Sequence, residues 1–144
     1  MSEQWPVQQA DALVCINTIH ITPWEACKGL MTGAERILRS GGVLYLYGPY
    51  QIDGRHTAQS NEEFDAWLRT QSPQWGVRDL AEVTALAQRH AFSLRETVPM
   101  PANNLSVIFE RGLAYCNAPE KPRRMHWRMS RRLQGRDLFA RQNS

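Results

Sequence analysis

Patterns that would mark a membrane, secreted or disulfide-linked protein are missing from this sequence of 144 residues. No apolar run approaches the roughly 18 residues that a membrane-spanning helix needs, and no basic segment followed by an apolar one marks a secretory signal. The three cysteines include no CxxC pair, which disfavours a disulfide framework or a cysteine-based zinc site. We therefore expect a cytoplasmic protein with reduced thiols and no membrane contact.

The signature motifs of several enzyme classes are absent as well. Without a G-x-S-x-G elbow, an α/β-hydrolase lacks its nucleophile. The four histidines stand apart, without H-E-x-x-H or Cys/His ligand spacing, so we predict no metal site. No G-x-G-x-x-G loop occurs, so the turn that holds a dinucleotide-type cofactor is missing too.

What the sequence does contain is a globular body followed by a basic tail. It is 42% hydrophobic and 22% charged, which is the balance of an ordinary soluble domain. Residues 1–112 hold 9 Lys/Arg and 12 Asp/Glu, whereas residues 113–144 hold 8 and 2, giving net charges of −3 and +6. We predict one domain over 1–112 and a flexible basic extension over 113–144.

Strand and helix signals alternate in the first part of the body. Residues 12–16 read as a buried strand. A capping box at 22–25 begins the next helix, and the Gly41–Gly42 pair ends it. The near-continuous apolar run at 43–47 is typical of a parallel strand buried on both faces. This order predicts a βαβ unit, and hence an α/β fold.

The second part of the body predicts two helices and then two strands. The connector between those strands, 99–104, is too short for a parallel crossover, so we expect the strands to pair antiparallel. Asp79 stands just before the second helix, where its side chain can cap it. The elements are a long loop over 48–59, a helix opened by a capping box at 60–63, a helix over about 80–90, and strands over 92–98 and 105–109.

Polar residues follow both strands of the βαβ unit where each strand ends. In open α/β sheets, ligands bind outside the carboxyl ends of the strands, and Asn and neutral His each offer a donor and an acceptor. The alternative is that these side chains only form hydrogen bonds within the turn. For the two asparagines of the 99–104 connector, a role in the turn and a role in the site are equally good interpretations. The predicted cofactor-binding or substrate-pocket residues are Asn17, His20, Tyr47, Gly48, Pro49, Tyr50, Asn103 and Asn104.

Five separated motifs carry a resemblance to one family. In chain order they are NTIHITPWE at 17–25, LYGPY at 46–50, QSNEEFD at 59–65, PQWGVRD at 73–79 and MPANNLSVIF at 100–109. Over about residues 5–111 the chain resembles the family labelled domain of unknown function 938, which is also known as the methyltransferase-like protein 26 family. The resemblance implies a class I S-adenosylmethionine-dependent methyltransferase fold, of which this chain would hold the fourth to seventh strands.

The resemblance also implies parts that are not in the sequence. Family members carry an upstream strand with a Gly-rich turn and then an acidic residue for the ribose, but here about eleven residues precede the first strand and none is glycine. We therefore expect the C-terminal half of a Rossmann-like methyltransferase domain, from a truncated or a frameshifted gene. We expect weak or no binding of S-adenosylmethionine by this chain. Its catalytic residues, its methyl acceptor and its activity as an isolated chain stay open.

Two further kinds of partner follow from these expectations. A strand at 12–16 without its neighbour has an open edge, which predicts self-association or a complementing N-terminal fragment. The rival function is binding of nucleic acid or an acidic partner through the tail, where arginines around Trp127 would contact phosphates and stack on a base. The alternative reading of the tail is a solvated extension without a partner. Its arginines are Arg123, Arg124, Arg128, Arg131, Arg132, Arg136 and Arg141.

Overall fold

Strands and helices alternate in the first part of the fold, and two long strands are its last elements. The structure is a computed structural model that describes residues 5–112. No helix in this range is long and apolar enough to cross a membrane. The elements are β1 (Ala10–Ile16), α1 (Trp24–Ile37), β2 (Leu38–Gly48), β3 (Gln51–Ile52), β4 (Arg55–His56), α2 (Gln59–Gln71), α3 (Leu80–Arg89), β5 (Phe92–Met100) and β6 (Asn104–Arg111).

The main sheet has four strands in the order β1-β2-β6-β5. Strands β1 and β2 run parallel, in a register that pairs Val14 with Tyr45 and Ile16 with Tyr47. Strand β6 is antiparallel to both β2 and β5. Between β5 and β6 the chain makes only a 3₁₀ turn, Pro101–Asn103, which reverses the chain but cannot cross over. The predicted α/β sheet with an antiparallel final pair is confirmed.

One face of this sheet carries the hydrophobic core. Helices α1 and α3 pack there, and the fully buried side chains of β2 are Leu38, Leu44 and Leu46. Tyr45 and Tyr47 point to the other face and are only half-buried. The prediction that 43–47 is buried on both faces is therefore wrong for the described part of the chain. The core is formed by Met31, Ala34, Ile37, Leu44, Leu46, Val83, Leu86, Phe92, Val107 and Phe109, among others.

Neither predicted capping box caps its helix. Helix α1 begins at Trp24 without a side-chain cap, because the Thr22 hydroxyl donates to the Thr18 carbonyl at 2.7 Å instead. Helix α2 begins two residues earlier than predicted, with Ala58 rather than Ser60 at its N-cap and Ser60 already inside the first turn. A hydroxyl inside the first turn no longer stands at the N-cap position, from which it accepts from the N–H groups of that turn.

The Gly41–Gly42 pair does not end α1, as the sequence had suggested. Helix α1 ends at Ile37, because Leu38 already has extended backbone angles and begins β2. The glycine pair lies inside β2, where the pairing with β1 changes register. The first glycine has φ +78°, a conformation that L residues rarely adopt. The glycines therefore allow an irregular strand.

The predicted 48–59 loop contains a small hairpin. Strands β3 and β4 pair antiparallel across Asp53-Gly54, whose φ angles of +51° and +73° have the signs that a type I′ turn requires. Asp79 fixes this hairpin against α3. One of its carboxylate oxygens accepts from Gly54 N at 2.6 Å and the other accepts from Ala81 N at 2.7 Å. The predicted cap of α3 by Asp79 is confirmed.

Candidate functional site

A pocket of about 500 Å³ opens beyond the carboxyl ends of β1 and β2. The turn after β1, the residue after β2, the start of α2 and the connector before β6 all contribute to its wall. We call it the amide pocket, because four of its lining residues are asparagines. It is lined by Asn17, Pro49, Ser60, Asn61, Phe64, Ala102, Asn103 and Asn104.

Asn17 presents an unoccupied amide to this pocket. Its backbone has φ +57°, a left-handed conformation that Asn tolerates better than most residues. That conformation is held from both sides, since Asn17 N donates to the Tyr47 carbonyl at 2.8 Å and His20 N donates to the Asn17 carbonyl at 3.1 Å. Within residues 5–112 the side-chain amide makes no hydrogen bond. A rigid backbone thus carries a donor and an acceptor that are free for a ligand.

The other three asparagines tie the pocket wall together. Asn61 Nδ2 donates to the Asn103 carbonyl at 3.0 Å, and Asn103 Nδ2 donates to Ser60 Oγ at 3.1 Å. These bonds join the start of α2 to the β5–β6 connector. Asn104 Nδ2 donates to the Tyr47 hydroxyl at 3.2 Å and so joins that connector to β2. The connector asparagines therefore both shape a turn and line the pocket.

His20 and Tyr50 are buried and do not line the pocket. They are 0% and 1% exposed, and their rings meet edge to face with centroids 5.1 Å apart. Gly48 passes so close that a Cβ there would lie 2.7 Å from His20 Nε2 and 2.9 Å from Asn17 Oδ1. Two of the predicted residues that follow β1 and β2, Asn17 and Pro49, line the pocket. Three more lie packed behind them around the ends of β1 and β2: His20, Gly48 and Tyr50.

The His20 ring is neutral and has one tautomer. The backbone N–H of Arg78 donates to His20 Nδ1 at 3.2 Å, which assigns the proton of the neutral ring to Nε2. Burial, and then the positive charge of Arg78, lower the pKa of His20 from 6.5 to about 4. Burial raises the pKa of Tyr50 well above its usual range. Within the described chain, His20 Nε2 and the Tyr50 hydroxyl have no hydrogen-bond partner.

Arg78 holds this arrangement in place. Its guanidinium donates to three carbonyls, those of Ile19 at 3.0 Å, Thr22 at 2.7 Å and Gln74 at 2.9 Å. The same guanidinium lies over the Trp24 ring, 5.6 Å from its centroid, within the range of a cation–π contact. Arg78 thus fastens the segment before α3 onto the turn between β1 and α1, and its backbone positions the histidine.

Among residues 5–112, no carboxylate lines the amide pocket. Asp65 is 7% exposed and accepts from Val77 N at 2.7 Å and from Arg69 Nε at 2.9 Å, so it is a structural residue. Asp79 caps α3, and Asp53 lies in the hairpin turn. Among residues 5–112, no group of three or more His, Cys, Asp or Glu side chains is placed to hold a metal ion.

Solved structures of methyltransferases have the same fold as the described chain. Human N-acetylserotonin methyltransferase in complex with SAM aligns with a TM-score of 0.67 and 14% identity, over 76% of this chain and 31% of that one. An O-methyltransferase family 2 protein from Planctomyces limnophilus, in complex with apigenin, aligns with a TM-score of 0.67 and 17% identity, over 74% and 32%. CalO1, a methyltransferase in calicheamicin biosynthesis with SAH bound, gives 0.62 and 19%, over 74% and 31%. The fold is therefore methyltransferase-like.

A family model described as protein of unknown function (DUF938) matches residues 1–111. The chain belongs to this family, as its five motifs had indicated. It spans only about a third of the length of the methyltransferases that it matches, 31% of human N-acetylserotonin methyltransferase.

The described residues do not fit the parts of S-adenosylmethionine that a methyltransferase normally holds with a Gly-rich turn and a ribose-binding carboxylate. The amide pocket contains neither a carboxylate nor a run of glycines. Its groups are amides, one hydroxyl, a proline and a phenyl ring, which suit a neutral ligand with both polar and aromatic parts.

Four lining residues were not predicted as site residues: Ser60, Asn61, Phe64 and Ala102. A signal for all four was present, because Ser60, Asn61 and Phe64 lie in the QSNEEFD motif at 59–65 and Ala102 lies in the MPANNLSVIF motif at 100–109. Ser60 and Glu63 match a capping box, and that local pattern concealed the inward position of Asn61, which is 4% exposed. The tail arginines lie outside the described residues.

Proposed function

We propose that this chain forms the methyl-acceptor side of an S-adenosylmethionine-dependent methyltransferase site. Membership of the family and the methyltransferase-like fold support the reaction class. The observation that carries the proposal is Asn17, whose backbone is fixed in a left-handed conformation while its amide faces the pocket without a hydrogen-bond partner among residues 5–112. A residue in an uncommon backbone conformation, whose polar side chain faces a pocket without a hydrogen bond, is typical of a ligand-binding site.

The acceptor that suits the amide pocket is a small neutral compound with a hydroxyl on an aromatic ring. Its volume of about 500 Å³ lies in the usual range for small-molecule sites. The Asn17 amide offers a donor and an acceptor without charge. The Asn104 amide offers its oxygen as an acceptor, because its NH₂ donates to the Tyr47 hydroxyl and the Pro101 carbonyl. Phe64 offers a flat apolar face. The Planctomyces limnophilus protein was solved in complex with apigenin, a compound of this kind.

The cofactor side of the site is not part of this proposal. Because the described lining of the pocket includes neither a Gly-rich turn nor a carboxylate for the ribose, we expect the chain to bind S-adenosylmethionine weakly or not at all. We expect no methyl transfer by the 144-residue chain alone. The cytoplasmic location and nucleic-acid binding by the tail remain predictions from the sequence, and the second depends on residues outside 5–112.

A titration with apigenin tests the acceptor site. The asparagine side-chain NH₂ signals of the ¹⁵N-labelled chain report on the pocket directly, and we expect those of Asn17, Asn103 and Asn104 to shift. The test variant is Asn17→Gly, because glycine adopts the positive φ readily and only the amide is lost. The matched control is Asp53→Gly, the same kind of change at a positive-φ residue in the hairpin turn.

We expect Asn17→Gly to weaken apigenin binding about tenfold, which corresponds to the loss of one good hydrogen bond. Asp53→Gly should bind as the parent chain does. Equal binding by the parent and Asn17→Gly would overturn the role of the amide. Shifts confined to residues outside the amide pocket, or no shifts at all, would overturn the neutral aromatic acceptor.

A further inference from the structure

The buried edge of the His20 ring carries a hydrogen-bond donor for which the described chain shows no acceptor. Because Arg78 N donates to His20 Nδ1 at 3.2 Å, the proton of the neutral ring is on Nε2. Nε2 is enclosed and has no hydrogen-bond partner among residues 5–112. A segment outside this range could reach Nε2 only by displacing the atoms that cover it. Since a buried donor that stays unpaired is costly, its acceptor is to be sought among the side chains around it.

Asn17 Oδ1 is an acceptor that borders the same space. A Cβ at position 48 would lie 2.7 Å from His20 Nε2 and 2.9 Å from Asn17 Oδ1, so both atoms face the small space that Gly48 leaves open. The Asn17 amide makes no hydrogen bond within the described residues, whereas its backbone N–H donates to the Tyr47 carbonyl at 2.8 Å. The amide is therefore free to turn on a fixed backbone, and this rotation can bring Oδ1 toward Nε2.

We propose that His20 is a positioning residue of the amide pocket, whose Nε2–H donates to Asn17 Oδ1 and thereby turns the Asn17 NH₂ toward the ligand. A donor at Nε2 selects the oxygen end of the amide, because the NH₂ end would place two donors face to face. The pocket then meets its ligand with a donor at this point. The ligand group that fits is an acceptor oxygen, such as that of a carbonyl or a phenol. This ligand class rests on the proposed acceptor function, whereas the orientation of the amide does not.

The segment before α3 sets this orientation. The Arg78 N–H fixes the tautomer of His20, and the Arg78 guanidinium holds the segment to the carbonyls of Ile19 and Thr22. A ring with one tautomer gives the amide one orientation. The competing acceptor for Nε2–H is the Tyr50 hydroxyl, which is also buried without a partner in the described chain and whose ring packs edge to face with the imidazole. The variant Tyr50→Phe removes this acceptor and so separates the two alternatives.

NMR of the ¹⁵N-labelled 144-residue chain without ligand tests the orientation. Two-bond ¹H–¹⁵N correlations should show the Nε2–H tautomer of His20, and the Nε2–H signal should give an NOE to Asn17 and keep its chemical shift in Tyr50→Phe. Asn17→Asp keeps an oxygen for Nε2–H but adds a negative charge beside the ring, so it should raise the pKa of His20. Its matched control is Asn104→Asp, the same change at another wall of the pocket, which should leave that pKa near the parent value.

Three results of these measurements would overturn the proposal. They are the Nδ1–H tautomer, an Nε2–H signal that lacks the NOE to Asn17 or shifts in Tyr50→Phe, and equal effects of the two aspartates on the pKa of His20. Far-UV circular dichroism verifies that each variant is folded.

Two substitutions of His20 separate the roles of its ring nitrogens. Glutamine places a donor near the position of Nε2, whereas asparagine places only an acceptor near the position of Nδ1. If Nε2–H orients Asn17, His20→Gln should keep the Asn17 side-chain signals and the apigenin affinity close to those of the parent. His20→Asn should shift these signals and weaken apigenin binding about three- to tenfold, as for the loss of one hydrogen bond.

The opposite order of the two variants, or equal behaviour of both, would show that His20 acts only through its bond to Arg78 and would overturn the proposal. Absence of apigenin binding by the parent chain would instead overturn the proposed acceptor. The Asn17 signals and the pKa of His20 would then decide the orientation of the amide by themselves.

Discussion

Replacing His20 with asparagine should reduce the sensitivity of the fold to acid. In the native chain the neutral ring accepts a hydrogen bond from Arg78 N through Nδ1, and burial holds its pKa near 4. Asparagine presents an acceptor oxygen close to the position of Nδ1 but takes up no proton in this pH range. The variant therefore keeps the hydrogen bond and removes the titration.

The size of the effect follows from the two pKa values of His20. The histidine titrates at about 6.5 in the unfolded chain and at about 4 in the folded one. Between these values the unfolded state binds a proton that the folded state does not, so the free energy of unfolding falls as the pH falls through this window. At 1.36 kcal/mol per pKa unit, the loss attributable to His20 is roughly 3 kcal/mol, most of it below pH 6. Above pH 7 His20 contributes no pH dependence.

Urea unfolding followed by circular dichroism, at a series of pH values from 8 to 4, measures this difference. The variant should be less stable than the parent at pH 8, because the smaller side chain leaves a gap beside Tyr50. Its stability should then fall less on acidification, and the two curves should converge. An NMR titration of the parent should place the His20 pKa well below 6. Parallel curves, or an ordinary histidine pKa, would refute the reasoning.

Two further predictions concern positions with matched controls. Gly48→Ala should destabilise the chain by about 1–3 kcal/mol, because the added Cβ would lie 2.7 Å from His20 Nε2. Its control, Gly29→Ala on an open side of α1, should instead stabilise the chain by about 0.5–1 kcal/mol. Equal effects of the two in urea unfolding would contradict the close approach at Gly48. Asp79→Ala should cost about 1–2 kcal/mol through loss of the α3 cap, whereas Asp79→Asn should retain most of it; no loss in the alanine variant would show that the cap contributes nothing.

The strand order could be predicted because it depends on patterns that are local in sequence. The apolar runs at 12–16 and 43–47, separated by one helix, predict a parallel pair, and the short 99–104 connector predicts an antiparallel one. The hairpin at 51–56 was missed, although Asp53-Gly54 is a strong turn signal. Its strands have only two residues each, too few for any periodicity to appear.

The site could be predicted only in part, because which of its residues are buried and which line the pocket depends on contacts between distant segments. That Asn17 and Pro49 lie at one edge follows from their positions just after β1 and β2. That His20 is buried does not, since the residue that covers and orients it, Arg78, lies 58 positions further along the chain. The same holds for Asn61, which reaches the pocket through its bond to the β5–β6 connector.

Calorimetric titration of the 144-residue chain with S-adenosylmethionine most directly tests whether it carries the acceptor side of a methyltransferase site without the cofactor side. In the part of the chain that the structure describes, the amide pocket has neither a carboxylate nor a Gly-rich turn. We therefore expect no heat of binding at low micromolar concentrations and a Kd well above the micromolar range. A Kd near 1 μM, about −8 kcal/mol, would contradict this assignment. It would mean that the residues of this chain hold the cofactor themselves.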